Sequence, residues 1–565
     1  MSLLFLILIS GGTLLAGYFV YGTFLAKFLN LRDDRPTPAH AKRDDVDYVP
    51  AGKWYLLGQH FSAIAAAGPI VGPILAGLWF GWLPTLLWIL LGGILIGGVH
   101  DFFTVAVSVR HQGRSIAEVI RENMSRKAFV LFLLFLWFSL IYIITTFMDI
   151  TAGTFADPVR GAGVASSSMM YLGLAVAMGI ILRVFKAPLA VTTAIFIPLI
   201  FLAIWLGPKF PFALPSLFGA DHRTSWDFLL LGYCFIAAVI PMWMLLQPRG
   251  YLGGFFLTFL AGVSLVGILA GSFIKGYAVH YPAFTGWFSP SGFPLLPLLF
   301  TTVACGACSG FHALVSSGTT SKQISKESDI KLIGYGGLLL ESFVAVIALA
   351  TVLVLTTVQA GELRDPNLIF ANGVGLFLSS LGISRELALN FALLAFATFV
   401  YDTLDVATRL GRYIFEELTG WRGKWSPYAA AFITLILPAV FVTSKMADEA
   451  GNIVPAWKMF WMVFGSSNQL LAALALLGVS LWLLKKGKNI MITILPSVFM
   501  TVVAAASLYF ILKPWFNAMA LARRMLWDPM AITAMTLLGL ACLLMAEAFG
   551  ILFMTKKTGR CNTIN

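Results

Sequence analysis

The 565-residue chain is short of charge. Asp, Glu, Lys and Arg make up 11% of it, where a soluble domain carries about 25%. No polar stretch is long enough to fold as a separate soluble domain. With 59% hydrophobic residues and a mean hydropathy of +0.87, residues 1–565 read as a single all-α polytopic membrane domain. Cysteine is scarce as well. Cys234, Cys305, Cys308, Cys542 and Cys561 are odd in number and mostly fall within apolar runs, which argues against a disulfide framework. Cys561 stands one residue too far from the end to form a prenylation box. No nucleophile elbow, phosphate loop or zincin motif occurs in a fitting context, so an enzyme and an ATP-driven pump are both disfavoured. The N-terminal run lacks a basic leader and is too long for the core of a signal peptide. The net charge of +12 does not imply nucleic acid, because the basic residues lie in short loops between apolar runs.

The apolar runs, each about 17–25 residues, predict about fifteen transmembrane helices. They fall near 2–26, 58–80, 84–108, 128–149, 167–184, 187–206, 227–246, 250–274, 294–317, 332–358, 385–410, 428–445, 454–484, 490–513 and 530–554. With the N-terminus periplasmic and the C-terminus cytoplasmic, most of the 38 Lys and Arg residues fall on the cytoplasmic face. That set counts Arg110, Arg249, Lys331, Arg409 and Arg412 as loop charges. The positive-inside rule therefore selects this orientation.

Two of the runs are interrupted. The stretch from Gly58 to Gly77 carries Gly68-Pro69 and Gly72-Pro73 in its middle. Proline lacks an amide proton and obstructs the preceding helical turn, so a continuous helix is not expected there. A kinked structural helix is the plainer alternative. The second, Leu295 to Ser317, holds Cys305-Gly-Ala-Cys-Ser-Gly-Phe-His312. It lies seven runs after the first, so the two cross the membrane in opposite directions. Paired interrupted helices of inverted topology point to a repeat-built transporter. The division expected is a first inverted repeat over 58–206, an inserted hairpin over 227–274 and a second repeat over 294–484. Residues 2–26 and 490–554 then form peripheral helices.

Several motifs carry a family resemblance. Asp47-Tyr-Val-Pro50, Gly58-Gln-His-Phe61, Ala67-Gly-Pro-Ile-Val-Gly-Pro73, Asp101-Phe102, Gly113-Arg-Ser115 and the run from Ser309 to Thr320 resemble the carbon starvation protein A family. The resemblance implies a bacterial inner-membrane carrier of peptides or pyruvate, with a LeuT-like inverted-repeat core and extra helices. The chain is shorter than the larger members, and His100 precedes Asp101 where relatives carry glutamine.

Buried polar groups supply the site candidates. An ionisable group at membrane depth is costly and is by default a functional hypothesis. Asp101, Glu341 and Asp402 lie deep in their runs, with Thr403 beside the last. They are candidates for ion coupling; a structural ion pair is the plainer role. Asp405 has Arg409 four residues on, on the same helix face, and Asp149 lies nearer a run's end. Open backbone at the interruptions can attract a carboxylate, which makes His60, Gly68, Pro69, Gly72, Pro73, Ser309, Gly310 and His312 candidates for substrate binding. Cys305, Cys308 and His312 share a face if the helix is continuous and are weak candidates for a metal, lacking a fourth ligand. The reading that follows is a secondary active importer of a small organic anion or short peptide, working in the lipid bilayer. It needs no cofactor beyond a coupling proton, with sodium the alternative ion. An intramembrane metal- or redox-dependent enzyme built on Cys305, Cys308 and His312 is the competing class. The oligomeric state is not legible.

Overall fold

A computed structural model describes all residues except 1, 45–47, 66, 124, 218, 364, 445, 448–452, 523–527 and 559–565. Asp47, which opens one of the motifs above, and the tail with Cys561 lie outside the described residues. The described chain is almost wholly helical. One short antiparallel ladder pairs Met446–Ala447 with Ile453–Val454.

The principal helices follow in chain order. α1 is Leu3–Leu29, α2 Lys53–Ile64, α3 Gly68–Phe80, α4 Trp82–Arg110, α5 Arg126–Phe155 and α6 Gly161–Arg183. Next come α7 (Leu189–Leu206), α8 (His222–Val239), α9 (Leu246–Ile274) and three short pieces, α10 (Leu295–Thr302), α11 (Ala304–Ala307) and α12 (Phe311–Gly318). They are followed by α13 (Lys331–Leu353), α14 (Pro366–Ser379), α15 (Arg385–Thr419), α16 (Ser426–Thr443), α17 (Ala456–Lys485), α18 (Met491–Ala522) and α19 (Pro529–Thr558).

Among the described residues, 12 helices are long and apolar enough to cross a membrane, or 13 if the bent pair α2–α3 counts as one span. The sequence led to an expectation of about fifteen. The two further runs are helical but fall short for physical reasons. α8 opens on the polar His222, Arg223 and Asp227, and the run 294–317 is split into α10, α11 and α12.

Burial separates interior helices from peripheral ones. In α13 and α17, 89% of the apolar window is buried, and in α15, 88%; in α1, α7, α16 and α19 it is 28–33%. Peripheral helices show large apolar side chains such as Phe5, Phe19, Val191, Ile195 and Phe432 on the outside. That is the surface a lipid solvent requires, since backbone polar groups are satisfied inside each helix.

Two helices leave regular geometry at corresponding points. α4 contains a π-helical segment, Gly93–Gly97, and α13 opens on another, Lys331–Gly336. Such bulges are frequent at functional sites. Each helix follows an interrupted segment, and each carries its buried acid, Asp101 or Glu341, close to the bulge. α4 and α13 pack together because Gly334 has no side chain: a Cβ there would stand 3.0 Å from the Asp101 carbonyl oxygen.

Candidate functional site

The first interruption lies between Ile64 and Gly68, where α2 and α3 meet at 49°. Pro69 removes the amide that would have bonded to the Ala65 carbonyl, and α3 begins with that proline in its first turn, where a missing N–H costs nothing. Gly68, Pro69, Gly72 and Pro73, expected in open backbone, are therefore helical. This corrects the sequence expectation, and the irregular backbone is shifted a few residues earlier. Gly68 and Gly72 instead let the second interrupted segment approach. A Cβ on Gly68 would strike Cys305, and one on Gly72 would strike the Thr302 carbonyl.

The second interruption lies at 308–310, where Cys308 is extended (φ −163°, ψ 120°) and α12 restarts at Phe311. Asn468 of α17 fills it. Its Oδ1 accepts from the Phe311 amide at 2.9 Å and the Ser309 hydroxyl at 3.2 Å, and its carbonyl accepts from the Gly310 amide at 3.1 Å. Its Nδ2 donates to Ser309 Oγ at 2.9 Å. Gly310 has no room for a side chain, because a Cβ would meet the backbone of Asn468 and Ala472. The backbone groups that the sequence offered to a carboxylate are held here by a carboxamide.

Three predicted residues come together beside these breaks. His312 Nδ1 lies 2.8 Å from Asp101 Oδ2, and His312 Nε2 lies 3.3 Å from Glu341 Oε2, with all three side chains fully buried. His100 Nδ1 lies 2.7 Å from the other Asp101 oxygen. His60, on α2, contacts Thr320 Oγ1 through Nδ1 at 2.8 Å. Its buried Nε2 has no hydrogen-bond partner among the described residues.

Asp402 belongs to a second cluster. Its Oδ2 accepts from Ser62 Oγ at 2.6 Å, and its Oδ1 lies 3.1 Å from Arg249 Nε. Arg249 also pairs with Asp405 and contacts the Tyr233 hydroxyl. Thr403 is buried next to Asp402. A cavity of about 30 Å³, room for a water or two, lies between His60 and Asp402; Gln59, Gly250, Thr320 and Gln323 also border it.

Several sequence expectations are corrected by these contacts. Arg249, taken for a loop charge, is buried in α9. Asp405 pairs with Arg249 and not with Arg409, whose Nη2 donates to the Ala237 and Ile240 carbonyls at 2.7 and 2.5 Å. Those carbonyls end α8, where a cation is favoured. Asp149 is buried, accepting from Trp457 N–H at 2.7 Å and pairing with Arg223 at 2.5 Å. Cys305, Cys308 and His312 do not share a face, because the helix breaks between Ala307 and Phe311. Cys305 Sγ lies 3.4 Å from Asn468 Nδ2, Cys308 Sγ lies 3.6 Å from Met500 Sδ, and His312 turns to the acids. Among the described residues, no group of three or more His, Cys, Asp or Glu is arranged to hold a metal ion. Sequence reasoning passed over Asn468 altogether. Its signal was the Asn-Gln pair in the middle of an otherwise apolar 30-residue helix.

The family model described as Carbon starvation protein CstA matches residues 2–368 and 363–507. The chain belongs to this family. The peptide transporter CstA of Helicobacter pylori (strain ATCC 700392 / 26695) is 34% identical, over 85% of this chain and 78% of that protein. The pyruvate/proton symporter BtsT of Escherichia coli (strain K12) is 31% identical, over 89% of this chain and 80% of that protein. Among solved structures, MhsT in complex with L-phenylalanine aligns at a TM-score of 0.47 and 12% identity, covering 89% of this chain and 99% of that one. A manganese transporter of Eremococcus coleocola, bound to an aromatic bis-isothiourea substituted compound, aligns at 0.44 and 15% identity, covering 90% and 98%. This CstA-family chain is a multi-pass membrane transporter and not an enzyme. The intramembrane enzyme reading finds no support in its relatives.

Proposed function

We propose that the chain is a proton-coupled secondary carrier of the bacterial inner membrane. It imports a small carboxylate such as pyruvate, or a short peptide, by alternating access around the two interrupted segments. The observation that carries this reading is His312 held between Asp101 and Glu341 in a buried, water-poor core. Protonating an imidazole between two carboxylates reduces the uncompensated negative charge of the group, which favours proton uptake in a low-dielectric setting. The three groups come from the second interrupted segment and from α4 and α13, so relative movement of these helices changes the proton's surroundings. The names of the relatives, which include a peptide transporter and a pyruvate/proton symporter, supply the substrate classes. The corresponding bulges and acids of α4 and α13 support two inverted repeats over 58–206 and 294–484 in a LeuT-like core, with 227–274 inserted. The orientation that fits the basic loops has the N-terminus periplasmic and the C-terminus cytoplasmic.

Sodium at Asp402 and Thr403 is disfavoured, because a guanidinium already faces Asp402. The test uses purified protein in proteoliposomes. Counterflow with labelled pyruvate, alanine and dialanine identifies the substrate class. Uptake is then driven separately by an imposed pH gradient and by a sodium gradient. Accumulation is expected with the pH gradient alone; accumulation that needs sodium and ignores pH would overturn the proton assignment.

A further inference from the structure

One cationic side chain in the core answers to two carboxylates. Arg249, on α9, is 2% exposed; its Nε lies 3.1 Å from Asp402 Oδ1 and its Nη1 contacts Asp405. The trio carries one negative charge more than it neutralises, in a setting where unbalanced charge is costly. The two acids are not equivalent. Asp402 borders the small cavity with His60, Gln59 and Gly250, whereas Asp405 does not. Asp402 also has a neutral second partner, the Ser62 hydroxyl, which can serve a protonated carboxyl as well as an ionised one. Asp402 and Ser62 can lie this close to α9 because position 253 is glycine: a Cβ there would collide with Asp402 Oδ2 and Ser62 Oγ.

We propose that Arg249 is the anchor for the substrate's carboxylate and that Asp402 is the internal carboxylate it replaces. In the empty carrier Asp402 is ionised and holds the guanidinium. A proton bound to Asp402 loosens that ion pair, and the carboxylate of the incoming substrate takes its place on Arg249. One proton and one carboxylate enter together, so the charge of the site is the same before and after. The anion without the proton adds a second surplus negative charge, whereas the proton alone leaves Arg249 and Asp405 as a neutral pair, so the proton binds first and makes room for the carboxylate. Coupling of one proton to one substrate carboxylate follows. Arginine suits this role because its planar fork accepts a carboxylate in two parallel hydrogen bonds.

The groups facing Asp402 are consistent with such an exchange. α9 contributes Arg249, α2 contributes Ser62 and His60, α6 contributes Tyr171, and α8 contributes Tyr233 and Cys234 around the Arg249–Asp405 pair. On α15 itself Asp405 is the neighbour, and Arg409 is turned to the end of α8. Of the other helices against α15, α7, α14 and α16 bring no acidic or basic side chain. Asp149 of α5 and His312 of α12 are engaged elsewhere, and Arg126 and Lys127 of α5 are exposed.

This inference rests on the proposed carrier function, and the experiment separates the two. Full-length protein is reconstituted, and labelled pyruvate is followed in counterflow and in pH-driven uptake. If the wild type does neither with pyruvate, the comparison moves to dialanine and its C-terminal amide; if it transports none of them, the function reading itself fails. With an active wild type, Asp402→Asn is expected to exchange pyruvate at a rate independent of pH and to lose concentrative uptake. Arg249→Lys keeps the charge but loses the fork, and is expected to raise KM about tenfold or more, with a smaller effect on kcat. Pyruvamide, which lacks the carboxylate, should not compete. If Asp402→Asn proves unstable, the Arg249→Lys KM and the pyruvamide competition still decide. Concentrative uptake by Asp402→Asn, an unchanged KM in Arg249→Lys, or competition by pyruvamide would each overturn the assignment and leave the carrier reading standing.

Discussion

His312 Nδ1 stands 2.8 Å from Asp101 Oδ2, and this contact joins the second interrupted segment to α4 across the core. The other oxygen of Asp101 meets His100 at 2.7 Å, so one carboxylate is bracketed by two imidazoles. Both oxygens of Asp101 are therefore partnered, although it lies at membrane depth. Its protonation is tied to the position of α12, since withdrawal of His312 removes a charge-assisted hydrogen bond.

His312→Gln and Asp101→Asn each break the buried imidazole–carboxylate pair proposed for the coupling path while keeping hydrogen-bonding groups in place. Concentrative uptake is expected to fall at least about tenfold in both, the size of one lost hydrogen bond to a charged group. Counterflow should survive better than accumulation. Accumulation at wild-type levels in both variants would take this pair out of the coupling path.

The interruptions themselves can be tested with small changes. Pro69→Ala returns the amide that can bond to the Ala65 carbonyl and lets α2 and α3 fuse across their 49° bend. Uptake should fall while membrane insertion persists. Gly310→Ala drives a methyl into the Asn468 and Ala472 backbone, so it should lower both uptake and the detergent melting temperature. Gly310→Leu is expected to fail at folding, since chain and not substrate occupies that space. Wild-type uptake and stability in Gly310→Ala would show that α17 does not seat there.

Depth in the membrane was legible in the sequence, because apolar runs measure it directly. Asp101 and Glu341 stand out by their depth in their apolar runs, and the two breaks by glycine and proline. What could not be read was which helix faces which. Arg249 was read as a loop charge because it falls at Pro248 between two apolar runs, yet it is the partner of Asp402. Asp405 and Arg409 satisfy the i,i+4 rule on paper, but a buried arginine is held better by the carbonyls ending α8. The proposed metal face assumed a helix that Cys308 interrupts. The misses at Arg249 and Asp405 concern pairings between helices, which linear spacing does not encode, and the metal face fails at a local break within one segment.

Asp149 is a structural acid, and its removal is a stability test. It pairs with Arg223 and accepts from the first helical amide beyond α17's start, at Trp457. Asp149→Ala leaves that amide without its acceptor and takes the carboxylate from the partly buried Arg223 guanidinium, which keeps the Asp149 backbone carbonyl at 2.8 Å. A loss of about 3 kcal/mol is expected, read as a lower melting temperature in detergent. Transport per folded molecule should change little. An unchanged melting temperature would mean that the contact contributes nothing.

The face bearing Lys53, Arg110 and Lys322 is closed by Glu327. This buried carboxylate lies 3.2 Å from Arg110 Nε and 3.4 Å from Arg35 Nη1, and it accepts from the Arg32 amide at 3.0 Å. Nearby, the Ser328 amide and hydroxyl donate to Asp33 and hold its carboxyl below the usual range. The Ala51 amide donates to the Gln323 carbonyl at 2.9 Å, and Ser108 donates to Ser321 at 2.8 Å. The loop 319–330, which follows the second interrupted segment, is thus tied to the ends of α1 and α4 directly over the cavity that Thr320 and Gln323 border. Alternating access requires this closure to come apart when the cavity opens here. Glu327→Gln keeps the shape but removes the charge that gathers two arginines, so the open state should gain population. The readout is the rate of thiol modification of Gln323→Cys in a background lacking Cys542 and Cys561. About tenfold faster labelling is expected in the Glu327→Gln variant, because buried ion pairs lost from one side cost several kcal/mol. Labelling at an unchanged rate would mean that opening does not separate Glu327 from its arginines, and that the loop moves with α1 and α4 as one body.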